Sequence, residues 1–128
     1  MFASTAAVIL LVLLAGLAVF QIALAAGAPL GRFAFGGQHE HTLPTQLRVA
    51  AALTVVVYAV MAWVVLESSG VTDLTPDSTD AVGAWILTGV LALNILPNAI
   101  SRSPHERATM TPIVTVMAAC ALVLALTA

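Results

Sequence analysis

All ten charged residues of this 128-residue chain fall within three short stretches, 32–48, 67–80 and 102–107. Between them lie four uncharged, apolar stretches: 1–31, 49–66, 81–100 and 108–128. A helix that crosses a bilayer needs about 20 mainly apolar residues. The first stretch holds one such helix and a short tail, but not two. The pattern therefore predicts four transmembrane helices, at about 3–26, 45–69, 78–100 and 104–127. Composition agrees. The chain is 61% hydrophobic and 8% charged, where soluble domains carry roughly a quarter charged residues. Its mean hydropathy is +1.07. The expected fold is an all-α membrane protein: a single domain over 1–128, built as an antiparallel bundle of four transmembrane helices with an ordered interfacial linker between helices 1 and 2.

The charges also set an expected orientation. The loop joining helices 1 and 2 holds Arg32, Glu40 and Arg48, and the loop joining helices 3 and 4 holds Arg102, Glu106 and Arg107. The loop joining helices 2 and 3 carries Glu67, Asp73, Asp77 and Asp80 and no cation. Arginine and lysine in short loops stay cytoplasmic. The 1–2 and 3–4 loops are thus expected in the cytoplasm, with both termini and the acidic loop outside. Ala23-Leu24-Ala25 resembles a cleavage site, but nothing basic precedes Arg32 and the apolar run is long for a signal peptide. Helix 1 is read as retained. A net charge of −2 gives no basic face for nucleic acid. The single cysteine, Cys120, excludes an intrachain disulfide.

Local signals mark the helix ends. Gly27 and Pro29 stop helix 1, and Pro44 is expected in the first turn of helix 2. Helix 2 stops at Ser68-Ser69-Gly70, and helix 3 begins at Thr75-Pro76-Asp77 or near Ser78. Pro97 predicts a kink or the end of helix 3, because it removes a backbone bond. Ser103-Pro104-His105-Glu106 has capping-box spacing and starts helix 4, with a fresh start at Thr111-Pro112 as the alternative. The linker over 27–44 is long for a compact domain. It holds four glycines with Phe33 and Phe35, which suggests a segment lying at the membrane surface.

The motifs Gly27-Ala28-Pro29-Leu30-Gly31, Gly36-Gly37, Leu43-Pro44 and Arg48, together with Asn94, Asn98, Ser101, Ser103, Glu106-Arg107 and Pro112, resemble a group of small bacterial four-helix integral membrane proteins. The resemblance spans most of the chain through loose motifs. It implies four helices and two distinctive cytoplasmic loops in a bacterial inner membrane. It implies no activity, substrate or cofactor.

Three constellations carry chemistry. Arg32, Arg48, Arg102 and Arg107 have the fork geometry that binds phosphate and lipid headgroups, and they also serve as topology determinants. Pairing of Glu40 and Glu106 with these arginines would fix one loop on the other. His39, His41 and His105, with Glu40 and Glu106, carry donor atoms that a divalent metal takes, although solvated surface histidines are the default. No histidine lies within an apolar span, which excludes bis-histidine haem ligation. Finally, Asn94 and Asn98 share a helix face, expected to point into the bundle with Thr54, Tyr58, Thr88 and Thr115. They would line a path or a pocket, or else hydrogen-bond between helices.

The expected function is therefore that of a non-enzymatic accessory or assembly subunit. It would act through helix packing and its basic loops, as a homo-oligomer or inside a larger membrane complex. The alternative is a small homo-oligomeric transporter or channel with Asn94 and Asn98 on its path. A third reading is an enzyme acting on a lipid phosphate. No cofactor is expected.

Overall fold

The computed structural model describes residues 2–128, and its regular structure is helical. Four long helices follow one another: α1 (Phe2–Ala25), α2 (Thr45–Ser68), α3 (Asp77–Ala99) and α4 (Pro104–Thr127). Each is long and apolar enough to cross a membrane. At 1.5 Å per residue a helix of this length spans about 36 Å, against roughly 30 Å of hydrocarbon. Apolar side chains stay exposed along their outer faces, among them Val12, Val19, Val56, Val60, Ile86 and Leu93. In water this surface would drive aggregation, whereas in lipid it is solvated.

The core follows a repeat of alternating three- and four-residue steps on α1, α3 and α4. In α4 it runs through Met110, Val114, Met117, Ala121 and Leu124, and in α1 through Ala7, Leu10, Leu14 and Leu17. In α3 it runs through Ala84, Leu87 and Leu91. Side chains spaced in this way lie on one helix face. The many alanines let backbones approach closely. α4 is the most buried helix and packs chiefly on α3 and α1, while α2 leans on α1 and touches α3 more lightly. α2 buries only Ala51, Val65 and Glu67.

The prolines fit their positions. Pro44 and Pro76 stand at the N-caps of α2 and α3, one residue outside each helix. Pro97 falls in the last turn of α3, which ends two residues later. α4 starts at Pro104, where Ser103 accepts a hydrogen bond from the Glu106 backbone at 3.3 Å. It continues through Pro112 without a fresh start.

Between α1 and α2 the chain makes two 3-10 turns, Gly31–Phe33 and Phe35–Gly37. The segment folds back on itself, with Gly31 N donating to His41 O at 2.8 Å and Arg32 N to Glu40 O at 3.2 Å. A side chain on Gly31 would land on the His39 and His41 carbonyl oxygens. Ala34 and Leu43 are buried in a small second core with Leu24 and Ala51.

Candidate functional site: a polar cavity between the helices

The core stripes do not stay apolar. Continued by the same three- and four-residue steps, the α1 stripe reaches Gln21 between Leu17 and Leu24. The α3 stripe runs on to Asn94 and Asn98, and the α4 stripe runs back from Met110 to Glu106. In α2 the positions between Ala51 and Val65 include Thr54 and Tyr58. All six polar side chains border one cavity of about 570 Å³, together with Leu17, Phe20, Phe33, Phe35, Met110 and Val114. A second recess continues from it along the α2–α3 seam, sharing Thr54, Tyr58 and Asn94. The looser packing of α2 on α3 makes that seam the open side.

The hydrogen bonds around the cavity are mostly not between helices. Thr54 Oγ1 donates to Ala50 O at 2.8 Å, and Asn98 Nδ2 to Asn94 O at 2.7 Å, each within its own helix. Gln21 and Tyr58 are within hydrogen-bonding reach of each other across α1 and α2. Yet the Gln21 amide oxygen is buried without a partner. Buried polar atoms are nearly always satisfied by protein, water or ligand. Thr88 and Thr115 were expected on this face. They instead bond back to Ala84 O and Thr111 O and do not border the cavity.

One end of the cavity is closed by the linker, held down by Glu106 and Ser103. Glu106 is only 6% exposed. Its Oε2 accepts from Gly36 N at 2.9 Å, and the Ser101 hydroxyl also reaches its carboxylate. The Ser103 hydroxyl donates to Arg32 O. Gly37, at φ +70°, lies so close that a Cβ there would meet the Ser103 Cβ. Phe33 packs its ring on His105 at 5.4 Å between centroids, tilted by 60°.

No family model, curated protein or solved structure matches this chain.

The loop-to-loop ion pairs expected of Glu106 do not form as anticipated. Its acceptor oxygens instead face the Gly36 N–H and the Ser101 hydroxyl. The four arginines do not form one cluster either. Arg48 Nε donates to Ala25 O at 2.9 Å, and Arg107 Nη1 to Ser101 O at 2.7 Å. Both serve carbonyls at or just beyond helix ends, where acceptors lack intrahelical donors. Arg32 and Arg102 remain exposed. The metal reading fails on geometry. Among the described residues no three histidine, cysteine or acidic side chains come close enough to hold an ion. His39 is exposed on the linker. His41, His105 and Glu40 border a surface recess, while Glu106 points to the cavity side. Cys120 is buried in the core of α4.

Sequence reasoning reached Thr54, Tyr58, Asn94 and Asn98 but missed Gln21 and Glu106 as cavity residues. The signal was present as phase. Each occupies the next step of its helix's core stripe.

Proposed function

We propose that this chain is a non-enzymatic integral membrane protein that binds a small polar solute, or the polar head of an amphiphile, in the cavity between its helices, as a small carrier or permeation subunit does. One observation carries the reading: six polar side chains from four helices, in phase with the core stripes, border one cavity. An apolar side chain at any of them would fill space and leave no amide or hydroxyl to satisfy. The cavity offers those polar groups water or a ligand as partners. Its hydrogen bonds do little to join the helices, which weakens the purely structural explanation.

In this reading the four helices run up and down through a bacterial inner membrane as an antiparallel bundle. The arginine-bearing loops and the interfacial linker face the cytoplasm. Two links support the up-and-down arrangement. The 1–2 and 3–4 loops meet through Ser103 and Arg32, and residues of α1, α4 and the acidic loop border one recess at the other end. Docking through the 27–44 segment, as an accessory subunit would do, has less support, because Ala34 and Leu43 of that segment are buried inside the chain. Exposed helix faces remain for a second copy or another partner, among them that of α2 with Val49, Leu53, Val56, Val60 and Trp63.

The test is native mass spectrometry of the protein extracted in mild detergent from the membrane that produced it. The expected result is a small-molecule adduct on the intact chain that Asn94→Leu and Gln21→Leu each lose while remaining folded by circular dichroism. A bare wild-type mass overturns the reading. So does an adduct that both variants keep.

A further inference from the structure

Arg48 and Arg107 each donate to a backbone carbonyl, and Arg32 and Arg102 are exposed on the two loops. They come from different loops, yet both border one recess of about 320 Å³ with His41, His105 and Glu40. The recess lies beside the cavity, on the other side of Gly36, and its chemistry is the opposite. Two guanidiniums against one carboxylate leave it positive even with both imidazoles neutral.

Two contacts hold the loops together against that repulsion. Ser103, next to Arg102, holds the Arg32 carbonyl through its hydroxyl, and Gly37 is seated against the Ser103 side chain. Phe33 acts as a common platform. The Arg32 guanidinium lies 5.2 Å from its ring centre, and the His105 ring packs on the same ring. Ser103 and Pro104, at the start of α4, form part of the wall, so the N-terminal end of a 24-residue helix borders the recess.

We propose that this recess binds a phosphate group, with Arg32 and Arg102 as its two forks. Guanidinium donors match phosphate oxygens in geometry and charge, and the clamp holds together the two loops that carry them. The site is independent of the cavity reading. The phosphate comes either from an anionic phospholipid headgroup or from a free phosphate-bearing solute. Both sources offer the same oxygens.

The experiment uses the full chain in nanodiscs of phosphatidylcholine alone or mixed with phosphatidylglycerol. Native mass spectrometry counts the lipids retained, and a parallel titration uses inorganic phosphate. The expected result is at least a ten-fold preference for phosphatidylglycerol over phosphatidylcholine, or saturable binding of phosphate. Arg102→Gln and Arg32→Gln should each reduce it about ten-fold. Phosphatidylglycerol retention that phosphate does not displace assigns the site to a headgroup. Displacement by phosphate, or direct phosphate binding, assigns it to a solute. A wild-type protein that shows neither preference nor phosphate binding overturns the proposal. So does an Arg102→Gln variant that folds and binds as the wild type. Arg102 is an exposed loop residue, so its loss should leave the fold intact.

Discussion

Each end of the bundle is organised by a buried glutamate that accepts hydrogen bonds from backbone N–H groups, but the two work over different distances. At the acidic end, Glu67 is 5% exposed and gathers the loop that directly follows its own helix. It accepts from Leu74 N at 3.0 Å, from Thr75 N at 3.0 Å, from Thr75 Oγ1 at 2.8 Å and from the Thr72 hydroxyl. At the arginine-bearing end, Glu106 holds Gly36, a residue 70 positions earlier in the chain. Glu67 closes a loop that sequence proximity already keeps near. Glu106, with Ser103, joins two loops that nothing local brings together. The first device shapes a turn, while the second closes one end of the cavity and aligns the recess beside it.

The sharpest way to break the long-range clamp is to add a side chain where it is tightest. Gly37→Val combines a left-handed backbone position with a Cβ driven into Ser103. Left-handed strain of roughly 1–2 kcal/mol adds to overpacking of roughly 1–3 kcal/mol. Equilibrium unfolding in mixed micelles should therefore show a loss of about 2–5 kcal/mol. Glu106→Ala comes next. It leaves the half-buried Gly36 N–H without its acceptor, at about 1–3 kcal/mol, and should raise hydrogen exchange at Gly36. Glu67→Ala removes the acceptor of Leu74 N, Thr75 N and the Thr72 and Thr75 hydroxyls and should cost a similar amount, about 1–3 kcal/mol, but within one loop. Its hydrogen exchange should rise only over residues 70–76. Global effects from both glutamate variants would erase the distinction between the ends.

The two ends also differ in how legible they were. The four spans follow from the length of uncharged apolar runs, a property of composition that packing does not alter. Ser103 as the cap of α4 follows from four adjacent residues. The role of Glu67 was within reach, since all its donors lie within eight positions, but the acids of that loop read only as a charge pattern. The Gly36–Glu106 bond was not legible. A glycine N–H carries no sequence signal, and an arginine beside Glu106 offers a plausible but unused partner. Gln21 is a single polar residue in a long apolar run. Its meaning emerges only once the phase of the α1 core stripe is known, and that phase is set by packing.

The smallest expected effect on stability bears most directly on the cavity. Asn98 donates its side-chain amide to Asn94 O of its own helix, a carbonyl one turn back that regular helix geometry already supplies with a backbone donor. Replacing it with leucine removes no bond between helices. Side-chain hydrogen bonds in bilayers average about 0.6 kcal/mol, and a leucine gains apolar contact in return. Asn98→Leu should therefore change unfolding free energy by about 0.5 kcal/mol or less, in either direction. It should also abolish the small-molecule adduct proposed for the cavity. Stability and binding would then separate at one residue, as they must if the polar stripe is kept for a ligand. A loss of about 2 kcal/mol or more, with the adduct unchanged, would mean instead that the amide holds the bundle together. The cavity would then be a by-product of packing around Pro97, and the contrast with the purely structural Glu67 end would disappear.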